Sequence, residues 1–317
     1  MQEQHSSSKV TGPSSLYRAG IWQVGLSLVR ALPLRVCVAV SQILAEVYWI
    51  VVKHRRQIVI GNVLPAFGED LEAARKTAHK LFRQFSRKIV DLWRYEAGLP
   101  IEDLFGEYSG WEHFVQAQEQ KRGVLLVTPH LGNWEFGAPW LAQRGVKLLV
   151  ITLAEPTAEF TKLRQESRGR WNVETLVIGE DPFGFLEIIK RLEQGATVAL
   201  LMDRPPPATA VTVELFGRPF LASMAAAELA RASGCMLVPV YLPRTDQGYA
   251  AHVLPAVTYN RSALRDRDAR QKLTQEIMKF FEPVIRQHLD QWYHFVPLWH
   301  VSSSWNEATS PDAGSGG

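Results

Sequence analysis

The sequence predicts an α/β fold: a layered domain with a mostly parallel central sheet flanked by helices, preceded by an apolar, membrane-attaching helical segment. Three observations carry this. Short continuous apolar runs recur from Gly123 onward, segments of helical spacing alternate with them, and residues 36–52 are almost wholly apolar before a basic cluster. Continuous apolar runs mark strands covered on both faces, and their alternation with helices indicates layered α/β architecture.

Residues 1–15 are rich in Ser with Gly and Pro, and residues 306–317 (NEATSPDAGSGG) are similarly poor in apolar side chains. Both read as frayed ends. Residues 16–60 read as the attaching segment. Within it, VCVAVSQILAEVYWIVV (36–52) contains Trp49 and runs into Lys53, His54, Arg55 and Arg56, the aromatic and basic flank that a membrane interface favours. Its 17 residues lie at the short edge of a bilayer span, and Ser41, Gln42 and Glu46 interrupt the run. An interfacial or shallowly inserted helix pair therefore fits better than a clean span. The alternative is a buried helix of a soluble protein, because hydropathy does not separate the two at this length. A cleaved signal peptide is not expected, since the apolar run starts late and no small-residue cleavage site stands before a polar mature sequence.

Charge agrees with this division. The first sixty residues carry Lys9, Arg18, Arg30, Arg35, Lys53, Arg55 and Arg56 against Glu3 and Glu46, whereas the whole chain sets 35 basic residues against 32 acidic ones. A net charge of +3 over 317 residues argues against general nucleic-acid binding and leaves the basic surface local to this end. The two cysteines, Cys37 and Cys235, support neither a disulfide framework nor a thiolate metal site, which points to a reducing compartment.

Residues 61–305 form the domain expected to carry the chemistry. Between residues 71 and 95, Leu81, Phe82, Phe85, Ile89, Leu92 and Trp93 recur at three- and four-residue steps, the spacing of an amphipathic helix with one face inward. Strands are expected at 123–127, 147–152, 196–202, 237–242 and 251–257. Helices are expected near 134–143, 159–171, 183–194, 222–233 and 263–289, with Gly195 and Gly234 placed where C-terminal caps belong. An aromatic run, Trp292, Tyr293, His294, Phe295 and Trp299, closes the domain, and no internal repeat is found.

The segment 123–135 runs as strand, turn and helix, and ligand sites in open α/β sheets collect at such strand ends. His130 and Glu135 stand five apart, so on one ideal helix they would point about 140° away from each other. His130 is therefore placed on the turn, Asn133 at a helix cap and Glu135 in the first helical turn, where the dipole favours a carboxylate. From there the imidazole folds back onto Glu135. A histidine with one nitrogen held by a carboxylate has the other free to take a proton from an alcohol. No Gly-x-Ser-x-Gly motif occurs and neither cysteine lies beside a histidine in the sequence, so direct attack by a hydroxyl is simpler than a covalent acyl-enzyme. A metal reading lacks a His-Glu-x-x-His motif and an obvious third ligand nearby. The plain alternative is a structural turn that the pair caps and salt-bridges.

The stretch His130-Leu131-Gly132-Asn133-Trp134-Glu135 is similar to the His-x-x-x-x-Glu motif of the bacterial lipid A biosynthesis acyltransferases, the lauroyl and myristoyl transferases of the lysophospholipid acyltransferase superfamily. The resemblance covers most of the chain. Arg56 followed by Asn62-Val63-Leu64-Pro65-Ala66-Phe67 resembles the family's Arg, Asn-Leu and Phe-Pro region, and Arg164-Gln-Glu-Ser-Arg168-Gly169-Arg170 its arginine block. Gly195 with Leu201-Met202-Asp203 resembles its Gly and Asp-Gln strand end, and Phe216-Gly217-Arg218-Pro219 its Phe-Phe-Gly element.

The resemblance implies an acyl donor on acyl carrier protein or coenzyme A, a hydroxyl of a glycolipid or related membrane lipid as acceptor, and the cytoplasmic face of the inner membrane. It implies no cofactor, no metal and no nucleic-acid partner. His130 and Glu135 take the catalytic roles, Asp203 a structural or orienting one, and Arg164, Arg168 or Arg170 a contact to acceptor phosphate or to the developing oxyanion. Three arginines in seven residues cannot all meet one small site, so at least one belongs to a solvated face. The chain departs from the family at Asp203-Arg204, where Asp-Gln is usual, at Pro205, Pro206 and Pro207, and in its ending, which keeps Gln291-Trp292 and Trp299-His300. The competing classes are a non-enzymatic lipid-binding protein of the same fold, which an intact His130 and Glu135 argue against, and a metal-dependent hydrolase.

Overall fold

The computed structural model describes residues 19–153, 155, 157–178 and 182–299. The ends expected to fray, 1–15 and 306–317, lie outside the described residues. The apolar start folds as three helices, α1 (Ala19–Ala31), α2 (Leu34–Val51) and α3 (Lys53–Val63), laid against the long α4 (Leu71–Glu96). Asp70 opens α4 by accepting from the backbone N–H groups of Glu72 and Ala73, each at 3.0 Å, a cap worth about 1 kcal/mol. The predicted stripe faces inward: Leu81, Phe82, Ile89 and Leu92 are buried, with Phe85 and Trp93 half-buried.

The domain then continues through β1 (Phe105–Ser109), α5 (Trp111–Glu119), β2 (Val124–Thr128), α6 (Gly137–Ala142), β3 (Leu148–Leu153), α7 (Ala158–Gly169), β4 (Glu174–Ile178), α8 (Pro182–Glu193) and β5 (Thr197–Leu201). A hairpin, β6 (Ala210–Leu215) and β7 (Arg218–Ser223), leads to α9 (Ala225–Ser233), β8 (Met236–Tyr241), β9 (Arg244–Thr245), β10 (Gly248–Val253) and α10 (Arg267–Gln287). The main sheet runs in the order β1-β10-β8-β2-β5-β3-β4, with β9 paired to β10. Its pairings are parallel except β10 with β8 and with β9. The fold is thus the expected mostly parallel sheet between helical layers.

Burial on both faces explains the continuous apolar strands. In β2, Leu125 and Val127 join one core cluster, while Val124 and Leu126 join the other across the sheet. Gly195 and Gly234 take left-handed φ values of 85° and 71° after α8 and α9, as caps there require. Some expected boundaries shift. Residue 222 belongs to β7 rather than to the following helix, the strand expected at 251–257 is β10 at Gly248–Val253, and the helix expected near 134–143 is a 3-10 turn (Trp134–Phe136) followed by the short α6.

Helix α2 is long and apolar enough to cross a membrane by length and composition, with a mean hydropathy of 1.6, yet only 17% of it is buried. Its buried residues are Cys37, Ala45 and Trp49. Ile43, Leu44, Val47, Ile50 and Val51 are each more than half exposed, and Val24 on α1 adds to them. A core helix would cover such side chains.

Candidate active site

His130 lies two residues beyond β2, at the carboxyl end of the sheet, where parallel strands leave a crevice. The C-terminal segment pins its turn. Gly132 N–H donates to the Gln291 carbonyl at 2.9 Å, Asn133 N–H to the Leu242 carbonyl at 3.0 Å, and Tyr293 N–H to the His130 carbonyl at 2.9 Å. Gly132 is required there: its φ is +62°, and a Cβ would stand 1.8 Å from the Leu242 carbonyl oxygen.

Asp203, two residues past β5, meets this turn. Its carboxylate accepts from the His130 backbone N–H (2.9 and 3.0 Å), from the His130 ring at Nδ1 (2.7 Å), from Trp292 Nε1 (2.8 Å) and from His294 Nε2 (2.9 Å). Burial alone would raise its pKa, but the His130 and His294 imidazoles with their hydrogen bonds override burial and hold it well below the usual carboxylate range. An ionised carboxylate only accepts, so Nδ1 of His130 carries the proton, and in the neutral imidazole Nε2 offers its lone pair. Nε2 has no hydrogen-bond partner among the described residues. Burial pushes the His294 imidazole down, against the pull of Asp203.

The contact expected between His130 and Glu135 is not formed. Glu135 instead takes a two-pronged bond from Arg168, at 2.8 Å (Nη2) and 3.1 Å (Nε). Burial opposes ionisation of Glu135, but Arg168 and Arg164 outweigh it and hold its pKa down to about 2. The reason is geometric, since residues 134–136 form a 3-10 turn that carries the carboxylate to α7. Asn133 does not cap that turn through its side chain, and its buried amide has no hydrogen-bond partner among the described residues.

The arginine block divides. Arg164 is buried against Glu96, with Glu155 at 3.7 Å. Arg168 is buried on Glu135, and its Nη1 has no hydrogen-bond partner among the described residues. Arg170 is exposed, donates to the backbone carbonyls of Tyr95 (2.9 Å) and Glu96 (2.8 Å), and does not line the cavity that Arg164 and Arg168 share. Sequence reasoning missed His294, Trp292 and Lys88. Lys88 is buried on α4 with its ammonium 3.0 Å from the centre of the Trp134 ring, and Trp134 stands edge-on to His130 at 4.9 Å. Burial lowers the Lys88 pKa well below its ordinary value, opposed by Glu135.

His130, Glu135, Arg164 and Arg168 line a cavity of about 1300 Å³ whose other walls are largely apolar, among them Phe85, Leu126 and Val150. That exceeds the roughly 300–1,000 Å³ of ordinary small-molecule pockets. Its rim includes Leu28, Leu32, Val40, Leu44, Val47 and Val51, exposed side chains of α1, α2 and the turn between them. The ligand-type atoms of His130, Asp203 and His294 lie within 4.8 Å of one another and could be read as a cation site. The donor chemistry disfavours it, because both histidines already turn nitrogens to Asp203 in hydrogen bonds and Trp292 fills a further acceptor position.

The site is thus an imidazole held by a buried carboxylate in the wall of a large, mostly apolar cavity. The chain belongs to the bacterial lipid A biosynthesis acyltransferase family, whose model matches residues 12–301. Among curated proteins it is similar to the phosphatidylinositol mannoside acyltransferases of Mycobacterium tuberculosis strains CDC 1551 / Oshkosh and H37Rv, 28% identical over 194 residues in each case. That match covers 60% of this chain and 59% of each relative. The corresponding protein of Mycolicibacterium smegmatis is 26% identical over 215 residues, 65% of this chain and 68% of the relative.

Proposed function

We propose that this chain is a membrane-associated O-acyltransferase that moves a fatty acyl group from a thioester donor, acyl carrier protein or coenzyme A, to a hydroxyl of a glycolipid. The observation that carries the reading is the 2.7 Å bond from His130 Nδ1 to Asp203, with the ring in the wall of the large apolar cavity. The free Nε2 accepts the proton of the acceptor hydroxyl as its oxygen forms a bond to the thioester carbonyl carbon. The imidazolium so formed is stabilised by Asp203. It returns the proton to the thiolate as the carbon–sulfur bond breaks, leaving an ester, a free thiol and the original histidine.

The carbonyl oxygen gains charge in the intermediate, and an unpartnered N–H in a dry wall is suited to receive it. Arg168 Nη1 is the proposed donor, with Glu135 holding the guanidinium in place. This assigns Glu135 to positioning rather than to the base pair. The relatives' names point to a mannosylated phosphoinositide as one acceptor of the proposed glycolipid class. The exposed apolar face of α1 and α2, which rims the cavity, supports interfacial attachment, with the exposed Lys53 at the start of α3 offered to anionic headgroups. The inner membrane's cytoplasmic face is the proposed location, where soluble thioester donors are available.

The test is turnover by the purified full chain in mixed micelles, given palmitoyl-coenzyme A or an acyl carrier protein thioester and a phosphoglycolipid, with products read by mass spectrometry. Acylated lipid formed by wild type and lost in His130→Ala, and unchanged by EDTA, supports the reading. Absence of transfer by wild type from either donor to any hydroxyl-bearing glycolipid would overturn it.

A further inference from the structure

Among the cations that line the cavity, Arg164 and Arg168 are each committed to buried carboxylates. Arg204 is different. It lines the same cavity, is exposed, and makes no hydrogen bond or ion pair with a described residue. It follows Asp203 directly in the chain, and its charge is felt at the His294 imidazole. Pro205 and Pro206 also line the cavity, and their rings fix the backbone that leaves Arg204. The guanidinium works against protonating the His294 imidazole, and an anion bound to it would relieve that repulsion. Its fork of donors matches a phosphate, and its exposure sets it at the wet rim, where a charged headgroup stays while acyl chains enter apolar walls.

We infer that Arg204 is an anion-binding residue that holds the phosphodiester of the acceptor lipid while a hydroxyl of the same headgroup lies at His130. This rests on the acyltransferase reading above. The acceptor is favoured over the donor on reach. Arg204 adjoins Asp203, which holds His130, and a glycolipid phosphodiester stands one or two rings from its hydroxyls. In a pantetheine thioester, by contrast, an extended arm separates phosphate from sulfur.

The experiment compares wild type, Arg204→Ala and Arg204→Lys as full chains. Direct binding of two soluble probes, dihexanoyl phosphatidylinositol and coenzyme A, is measured by calorimetry. Arg204→Ala should weaken the phosphatidylinositol probe about tenfold, the loss of one charge-assisted bond, and leave coenzyme A within about twofold. Arg204→Lys should recover part of the loss. In turnover, Arg204→Ala should raise KM for a phosphoglycolipid acceptor while KM for a neutral glycosyl diacylglycerol stays unchanged. Equal binding of both probes by wild type and Arg204→Ala would overturn the proposal, and so would a loss confined to coenzyme A, which would move the site to the donor. Wild type that binds the lipid probe through Arg204 yet transfers no acyl group would instead sink the acyltransferase reading.

Discussion

His130 Nδ1 lies 2.7 Å from Oδ1 of Asp203, a residue 73 positions away, and not against Glu135, five positions away. The two carboxylates therefore have separable roles. Asp203→Asn should lower kcat by about a hundredfold or more, since an amide neither fixes the tautomer nor stabilises the imidazolium. Glu135→Gln should cost less in kcat, because its effect passes through Arg168. Steady-state kinetics of both variants in parallel checks this. A Glu135→Gln loss matching that of His130→Ala, with Asp203→Asn active, would return Glu135 to the base pair.

Gly132→Ala should be destabilising well beyond an ordinary surface change. The left-handed φ costs about 1 kcal/mol for an L side chain, and the new Cβ meets the Leu242 carbonyl at 1.8 Å, so the backbone must move. That backbone carries the His130 turn. We expect a lower Tm together with lost turnover, read by thermal unfolding and by activity below the new Tm.

Local signals made much of this structure readable and long-range ones did not. The apolar runs and the α4 stripe placed β2, β3, β5, β8 and α4, because a two-sided strand and an amphipathic helix write their burial into adjacent residues. The β6–β7 hairpin was missed although Val211, Val213 and Leu215 alternate with exposed residues. Its two-residue turn is Phe216-Gly217, both at positive φ, where Asn-Gly or Asp-Gly would have announced it. At the candidate site, the sequence names His130 from its strand-end turn and Asp203 only through resemblance, and the fold brings the two into contact. The partner of Glu135 is not legible there, since Arg168 lies 33 residues on, on another helix. His294 and Trp292 stand in view as an aromatic run, but the long-range backbone bonds of the His130–Gly132 turn to Gln291 and Tyr293, which no local signal announces, bring them to Asp203.

The Glu135–Arg168 pair gives an acid-stability prediction. Glu135 titrates near 2 in the folded chain against an ordinary 4.5, and its side chain is 12% exposed. A depressed carboxyl contributes stability that is complete above its unfolded pKa and is lost as pH falls through the folded one. The stability difference between wild type and Glu135→Gln, from urea unfolding at each pH, should thus be flat above about pH 5 and shrink by about 3 kcal/mol toward pH 2. Arg168→Ala, which strands the buried carboxylate, should cost about 3–5 kcal/mol at pH 7. A flat difference down to pH 2 would show that Arg168 does not hold the carboxyl down.

Helix α2 supplies the last prediction. Ile43, Leu44 and Val47 are 63%, 62% and 51% exposed, so changing them removes little from the core. Replacing all three by Glu places charge on the face proposed to enter the interface, while leaving the buried Cys37, Ala45 and Trp49 in place. If the face lies in lipid, co-sedimentation with vesicles should fall for anionic and zwitterionic compositions alike, because apolar burial is lost in both. Replacing the exposed Lys53 by Gln instead should weaken binding to anionic vesicles only, an effect that added salt reproduces. The thermal melt of the triple variant should match wild type, which separates lost attachment from lost fold. Wild type that stays in the supernatant with both kinds of vesicle, without detergent, would end the membrane reading of this helix and leave its apolar face to another partner.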